Sequence, residues 1–257
     1  MNAQALAQSE TVQPPAITQE TLTRLDVAGP RYTSYPTADR FVEAFGPEQY
    51  LQARAQRASG AGAVGGAAAP LSVYVHIPFC ESVCYYCACN KVVTKRHDRA
   101  IAYLEALYKE IDLHVAVLGT GQSLSQLHLG GGTPTFLSDE QLEHLLLKLQ
   151  SAFRFVPGGE YAIEIDPRTV DAERLGRLAA MGFNRISLGV QDFDPNVQQA
   201  VHRVQSFESV AGLMGAARDV GFDSINMDLI YGLPHQTAES FARTLAQVSS
   251  LRPERIA

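Results

Sequence analysis

The hydrophobic pattern changes period repeatedly from Ser72 to the end of the chain. Short apolar runs rich in β-branched residues predict strands, which are typically about four to eight residues long. Between these runs, apolar residues recur at every third or fourth position, which predicts amphipathic helices. The predicted strands cover residues 73–77, 126–129, 161–165, 185–188 and 224–230.

The predicted helices carry start and stop residues of their own. Ser138 is expected to cap one helix, and Gln141 completes a capping box three residues later. Three other helices end at a glycine, the residue that most readily closes a helix. A last helix is predicted over residues 237–251. The closing glycines are Gly119, Gly182 and Gly221.

Five strand–helix units in succession indicate parallel strands joined by right-handed crossovers. Both a doubly wound sheet and a barrel fit this pattern, although a complete eight-fold barrel needs more units. Residues 255–257 resemble the start of a sixth strand. We therefore expect an α/β chain truncated after five βα units. Its fifth strand would present an unpaired apolar edge, and the chain as written would not turn over a substrate.

The part before the alternating pattern is less regular. Residues 1–23 are predicted to be a mobile N-terminal extension. Residues 24–70 form an N-terminal segment with a small helix over 47–57 and a Gly/Ala-rich linker at its end. We expect residues 31–45 to lie over the mouth of a barrel formed by residues 71–257.

Composition narrows the class of protein. The hydrophobic fraction of 46% and the charged fraction of 19% are those of an ordinary globular protein. The net charge of -6 provides no general attraction to nucleic acid or to an anionic membrane. No apolar run approaches the roughly 20 residues of a membrane helix, and the N-terminus lacks a signal-peptide pattern. A cytoplasmic location is therefore expected.

All four cysteines lie in one short stretch, at Cys80, Cys84, Cys87 and Cys89. A disulfide framework would join distant segments, and a structural zinc site normally needs two separated ligand pairs. A cubane iron–sulfur cluster can instead take three thiolates from one loop. Cys80, Cys84 and Cys87 are the expected metal ligands, and three thiolates for four irons leave one iron open to a substrate or cofactor. A zinc-binding or redox-inert knuckle is the alternative.

The spacing Cys-x3-Cys-x2-Cys is that of the radical S-adenosylmethionine enzymes, and six motifs in order narrow the resemblance. The chain resembles the oxygen-independent coproporphyrinogen III oxidases over about residues 24–257. The related haem chaperones usually lack the fourth cysteine, so Cys89 favours the oxidases, while Ala88 replaces a common glycine. The motifs are RYTSYPTA, YVHIPFC with CYYCACN, HLGGGTPT, IEIDPR, GVQDF and NMDLIYGLP.

This resemblance implies a partial, TIM-like (β/α)6 barrel that holds a [4Fe–4S] cluster and two S-adenosylmethionine molecules. The implied reaction is the oxidative decarboxylation of coproporphyrinogen III to protoporphyrinogen IX in haem biosynthesis, through a 5′-deoxyadenosyl radical. The implied partners are coproporphyrinogen III and an external one-electron reductant of the flavodoxin or ferredoxin type, with the protein a monomer. A haem chaperone, or another porphyrin-directed radical enzyme of the superfamily, is the alternative.

The resemblance also implies roles for single residues, most of them at predicted C-terminal strand ends, where parallel α/β folds bind ligands. Tyr74, Gly131 and Glu164 would contact the first S-adenosylmethionine, and Cys89 would be catalytic. Six residues would contact the second: Tyr86, Gly132, Thr133, Gln191, Arg203 and Asp228.

Simpler explanations remain for several of these residues. The glycines fit a tight turn, and Tyr74 fits a strand core. Glu164 could form a structural ion pair, for instance with Arg185. Arg203 could be a solvated helix residue and Asp228 a helix cap.

Overall fold

The structure is a computed structural model that describes residues 18–27, 37–59 and 69–257. Contacts divide the chain into two units, Met1–Tyr50 and Leu51–Ala257. The predicted mobile extension, the RYTSYPTA motif and the Gly/Ala-rich linker fall largely outside the described residues. The expectation that residues 31–45 cover the barrel mouth stays a prediction.

Among the described residues before the main sheet, two segments form α-helices. Helix α1 spans Gln19–Leu25, and the Thr18 hydroxyl caps it by accepting a hydrogen bond from the Thr21 backbone N–H. Helix α2 spans Pro47–Ala58, in agreement with the helix predicted over 47–57.

The region from residue 71 onward alternates between strands and helices, as the hydrophobic pattern predicts. Its elements are β1 (Leu71–Ile77), β2 (Phe79–Cys80), β3 (Val92–Val93), α3 (Arg99–Leu118), β4 (Gln122–Gly131), α4 (Asp139–Ala152), β5 (Phe153–Ile165), α5 (Ala172–Ala180), β6 (Arg185–Gln191), α6 (Pro195–Ala200), α7 (Phe207–Asp219), β7 (Ser224–Leu229), α8 (Ala238–Leu251) and β8 (Arg255–Ile256).

Six parallel strands form the main sheet in the order β1-β4-β5-β6-β7-β8. Each strand pairs with the one that precedes it along the chain, apart from the short β2 and β3, which pair with each other. A doubly wound sheet would instead reverse its direction of growth at a switch point. Of the two predicted architectures, the partial barrel is therefore the one observed.

The core lies between the sheet and the helices. The capping box of Ser138 and Gln141 starts α4 as predicted, and α4 buries Leu142, Leu145 and Leu149 completely or nearly so. Each fully buried side chain of this kind contributes about 1.5–3 kcal/mol. The apolar stripe of the helix thus fixes which face meets the sheet.

Strand β5 begins eight residues before its predicted start. The sequence Pro157-Gly158-Gly159 resembles a turn, yet Phe153 and Phe155 pair with β4 across a register shift. From Phe155 to Glu160 the β5 chain advances five residues while β4 advances two, from Leu124 to Gln126. Residues 157–159 therefore lie in an irregular bulge between two paired stretches.

The expectation of an unpaired edge on the fifth strand, β7, is wrong. Asn226 pairs with Arg255 and Met227 with Ile256. The Ala257 N–H donates to the Met227 carbonyl at 2.9 Å, and the Leu229 N–H donates to the Ala257 carbonyl at 2.8 Å. The predicted start of a sixth strand is confirmed, and residues 255–257 form hydrogen bonds with the β7 edge.

In the described ranges, no helix is long and apolar enough to cross a membrane.

Candidate active site

The cysteine loop leaves β1 and closes on itself through backbone hydrogen bonds. The Thr94 N–H donates to the Cys80 carbonyl at 2.8 Å, and the Cys87 N–H donates to the Cys84 carbonyl at 3.1 Å. The Lys91 ammonium donates to the Cys87 carbonyl at 2.8 Å. These contacts fold the loop so that its four cysteines face one cavity.

All four thiols line one cavity of about 400 Å³ at the C-terminal ends of the strands. Cys80, Cys84 and Cys87 are half-buried, whereas Cys89 is exposed. Among the described residues, no three His, Cys, Asp or Glu side chains stand close enough to hold one metal ion. One zinc ion needs all its thiolates about 2.3 Å from a single point, whereas each thiolate of a cubane binds a different iron. Three thiols supplied by one loop to one cavity fit a cluster, in which each thiolate binds a different iron.

Burial is the main cause that raises the pKa of two of the four thiols, Cys80 and Cys89. Burial raises the pKa of Cys80, and the neighbouring Cys87 and Cys84 raise it further, while a hydrogen bond from the Thr133 hydroxyl opposes the change. Burial and Cys87 likewise raise the pKa of Cys89. A raised pKa disfavours the thiolate form of Cys80, and a nearby positive charge, which bound iron would supply, would favour that form.

Two glycines let the β4 end approach this loop closely. Gly131 has a φ of 113°, which few residues other than glycine adopt. A Cβ on Gly132 would lie 2.7 Å from the Phe79 carbonyl oxygen and 3.0 Å from Cys80 Sγ. A tight turn alone would not require this close approach, so the glycines belong to the site.

The Glu164 carboxylate faces the same cavity from the end of β5. It accepts one hydrogen bond from His128 Nε2 at 2.9 Å and another from the Gly131 N–H at 3.2 Å. Arg185 is not the partner of Glu164, because Arg185 pairs with Glu160. A structural side-chain contact of Glu164 does exist, and its partner is His128. His128 was missed by sequence reasoning, and its place in the HLGGGTPT motif was the available signal.

Arg203 is a buried member of the site. Its Nη1 lies 3.2 Å from Asp166 Oδ2 and 3.5 Å from Cys84 Sγ. Its Nε and Nη2 donate to the Gly189 carbonyl at 3.1 and 2.7 Å. Its side chain is only 9% exposed, so the alternative of a solvated helix residue is wrong.

Asp228 lies across the cavity from the cysteine loop, on β7. It accepts hydrogen bonds from the Ser187 hydroxyl at 3.0 Å and from Asn226 Nδ2 at 2.7 Å. Burial raises the pKa of Asp228, and the charge of Glu164 raises it further, although these two hydrogen bonds lower it. The helix-cap alternative is wrong, since Asp228 caps no helix.

The cavity gathers all the predicted site residues except Tyr74. The Tyr74 ring stacks on the His128 ring, with centroids 5.8 Å apart, and its hydroxyl lies 3.1 Å from His76 Nδ1. Its side chain is 56% exposed, so Tyr74 is not a core residue either. The predicted residues in the lining are Cys80, Cys84, Tyr86, Cys87, Cys89, Gly131, Gly132, Thr133, Glu164, Gln191, Arg203 and Asp228.

The lining also contains residues for which the sequence suggested no individual role. Asp166 and Arg168 were visible only as part of the motif IEIDPR, and Lys91 and Ser187 had no signal. Asp166 accepts from Arg168 Nε at 2.9 Å and from Arg168 Nη2 at 2.6 Å. Burial opposes ionisation of Asp166, yet Arg168 and Arg203 together hold its pKa below the usual range.

A parallel barrel wall with a three-cysteine loop after its first strand defines a class of protein. The chain belongs to the radical SAM superfamily, whose sequence pattern matches residues 74–248. Members of this superfamily use a [4Fe–4S] cluster and S-adenosylmethionine.

Curated proteins with similar sequences are oxygen-independent coproporphyrinogen III oxidases. The chain is 51% identical to that of Pseudomonas aeruginosa over 236 residues, which are 91% of this chain and 50% of the relative. It is 49% identical to that of Escherichia coli K12 over 233 residues, which are 91% of this chain and 49% of the relative. The chain thus spans about half the length of the curated relatives it matches.

Solved structures agree with this assignment. The structure of coproporphyrinogen III oxidase from Escherichia coli, described as a radical SAM enzyme, matches with a TM-score of 0.80 at 48% identity. The match covers 88% of this chain and 50% of that structure. Methylornithine synthase matches with a TM-score of 0.51 at 15% identity, which shows a shared fold alone.

Proposed function

We propose that this chain belongs to an enzyme that converts coproporphyrinogen III to protoporphyrinogen IX without oxygen, by oxidative decarboxylation of two propionate side chains. The observation that carries the proposal is the single cavity lined by the three spaced cysteines and by residues from the ends of β4, β5, β6 and β7. The names of the relatives support the choice of substrate.

Cys80, Cys84 and Cys87 would hold the cluster in this cavity. When bound, the cluster and S-adenosylmethionine would supply a 5′-deoxyadenosyl radical, which would remove hydrogen from the propionate carbon β to the carboxylate. Loss of carbon dioxide, and of one electron to an external one-electron acceptor, would then leave the vinyl group. The chain itself orients the ligands. Glu164 would accept hydrogen bonds from the amino group of the first S-adenosylmethionine, and the glycines of the β4 end would leave room for it.

Arg203 and Asp228 would bind a second S-adenosylmethionine. The guanidinium groups of Arg168 and Arg203 share the one carboxylate of Asp166, so this corner of the cavity keeps a net positive charge. Such a corner suits the carboxylate of a ligand. The partly buried Asp228 would accept hydrogen bonds from hydroxyl groups, and Tyr86, Gly132, Thr133 and Gln191 would complete the contacts.

Cys89 is proposed as a catalytic residue because its thiol faces the cavity without being one of the three spaced ligands. The proposed enzyme takes its electron from an external reductant of the flavodoxin or ferredoxin type and acts as a monomer. The cytoplasmic location stays a prediction.

The decisive experiment is an anaerobic assay of the complete protein with coproporphyrinogen III, S-adenosylmethionine and a reductant. The proposal expects protoporphyrinogen IX, methionine and 5′-deoxyadenosine to form together. Tight binding of haem with no turnover of coproporphyrinogen would instead identify a haem chaperone.

A further inference from the structure

Two arginines approach the same cluster cysteine. Arg203 Nη1 lies 3.5 Å from Cys84 Sγ, and Arg168 Nη2 lies 3.9 Å from the same atom. The proposed function assigns Arg203 to the second S-adenosylmethionine. The proposed function gives Arg168 no role beyond its contribution to the positive charge at this corner of the cavity.

The position of the Arg168 side chain is closely determined. Its Nε and Nη2 form a fork on the Asp166 carboxylate, and its Nη1 lies 3.5 Å from the His202 carbonyl oxygen. Asp166 is itself only 9% exposed and is also bound by Arg203. A bidentate contact of this kind fixes the plane of the guanidinium group, so Nη2 has little freedom to turn away from Cys84.

We propose that Arg168 is a positioning residue that raises the reduction potential of the cluster by holding a positive N–H donor at the Cys84 sulfur. This inference rests on the proposed function, because it requires the cluster to be bound through Cys84. Reduction adds a negative charge to the cluster, and a nearby cation stabilises the reduced form more than the oxidised form. Hydrogen bonds to the sulfurs act in the same direction.

The Asp166 carboxylate, which binds Arg168, allows a second test with the opposite sign. Asp166 carries a negative charge at the same corner of the cavity, so it opposes the effect of the two arginines. Removal of the Arg168 charge should therefore lower the potential. Asp166→Asn removes the negative charge and keeps one side-chain oxygen that accepts from the Arg168 guanidinium, so it should raise the potential. General damage to the fold would not shift the potential in opposite directions.

The experiment compares four variants of the anaerobically reconstituted protein: Arg168→Met, Arg168→Lys, Asp166→Asn and Arg243→Met. Arg243 is the matched control, because its side chain is 61% exposed on α8 and contacts Glu239 and Asp194. Iron and sulfide are measured first. The cluster is then titrated electrochemically without S-adenosylmethionine, and its reduced state is followed by electron paramagnetic resonance.

Arg168→Met is expected to keep its iron and to show a roughly tenfold lower ratio of reduced to oxidised cluster at a fixed potential. For a one-electron couple this corresponds to a shift of about 59 mV. Arg168→Lys should shift less in the same direction, Asp166→Asn should shift the opposite way, and Arg243→Met should match the wild type.

An unchanged potential in a fully loaded Arg168→Met protein would overturn the inference and leave the proposed function intact. If Arg168→Met loses iron, the potentials of Arg168→Lys and Asp166→Asn decide the question. Shifts of the same sign in these two variants would overturn the inference. Failure of the wild type to bind a four-iron cluster would contradict the proposed function and this role together.

Discussion

His128 Nε2 lies 2.9 Å from Glu164 Oε1, and this hydrogen bond joins the ends of two neighbouring strands at the cavity. The other carboxylate oxygen of Glu164 accepts from the Gly131 N–H. Since both side chains are about one-third exposed, the contact is weaker than a fully buried one, yet it limits the directions in which the carboxylate can point.

Replacement of His128 by alanine should therefore weaken the binding of S-adenosylmethionine. We expect about fivefold weaker binding, which corresponds to ~1 kcal/mol for a partly exposed hydrogen bond to a charged group. Equilibrium dialysis with the reconstituted protein measures this. His128→Gln retains a donor and should recover most of the affinity, and His144→Ala, exposed on α4, is the control. Equal affinities for wild type and His128→Ala would show that Glu164 needs no such support.

The cysteines should divide into two groups. Replacement of Cys80, Cys84 or Cys87 by alanine should abolish the brown chromophore and most of the bound iron, because each thiolate is expected to bind a separate iron. Cys89→Ala should keep the iron and lose decarboxylation. Iron analysis after anaerobic reconstitution separates the two groups, and equal iron loss in all four variants would mean that the ligands are wrongly assigned.

The two proposed S-adenosylmethionine sites should respond separately. Glu164→Ala should reduce the formation of 5′-deoxyadenosine at least tenfold, because its partner is the first cofactor. Arg203→Lys should reduce vinyl formation more than 5′-deoxyadenosine formation. Lysine is preferable to alanine here, since alanine would leave the buried Asp166 with Arg168 alone. Equal losses of both products in both variants would argue against separate sites.

A methyl group on Gly132 should disturb the cysteine loop. It would lie 2.7 Å from the Phe79 carbonyl oxygen, so the backbone at Cys80, a proposed cluster ligand, would have to shift. Gly132→Ala should lower the iron content by half or more. Gly212→Ala is the matched control, because a Cβ there meets nothing within 4 Å and α7 should gain about 0.5–1 kcal/mol. Normal iron loading in Gly132→Ala would mean that the loop accommodates the methyl group.

The raised pKa of Asp228 predicts that its charged form lowers the free energy of unfolding. A carboxyl group with a raised pKa in the folded state binds protons more readily there than in the unfolded chain. The free energy of unfolding therefore falls as the pH rises above the ordinary pKa of about 4 and through the folded value.

Asp228→Asn removes this penalty and should raise the free energy of unfolding at pH 8 by on the order of 1 kcal/mol. The gain should be smaller at pH 5. Urea denaturation of the apoprotein at both pH values measures the difference. A variant that is less stable than the wild type at pH 8 would show that the Ser187 and Asn226 hydrogen bonds outweigh the burial of the charge.

Local signals in the sequence determined the order of elements. The capping box at Ser138 and the change of hydrophobic period predicted α4 and the strands around it, because caps and buried faces depend on residues close together in the chain. The spacing of Cys80, Cys84 and Cys87 likewise predicted the class of cofactor. The strand–helix pattern by itself left the choice between a barrel and a doubly wound sheet open, since that choice depends on which strands pair. The family resemblance implied the barrel.

The tertiary structure decided the partners of the charged side chains. His128 and Glu164 are separated by 36 residues, and Cys84 and Arg203 by 119, so no local pattern reports either contact. These contacts arise because parallel strands bring their C-terminal ends to one edge of the sheet, where burial makes an unpartnered charge costly. The same pairing placed Tyr74 beside His128, outside the cavity lining, and brought Asp166 and Arg168 to the cysteines.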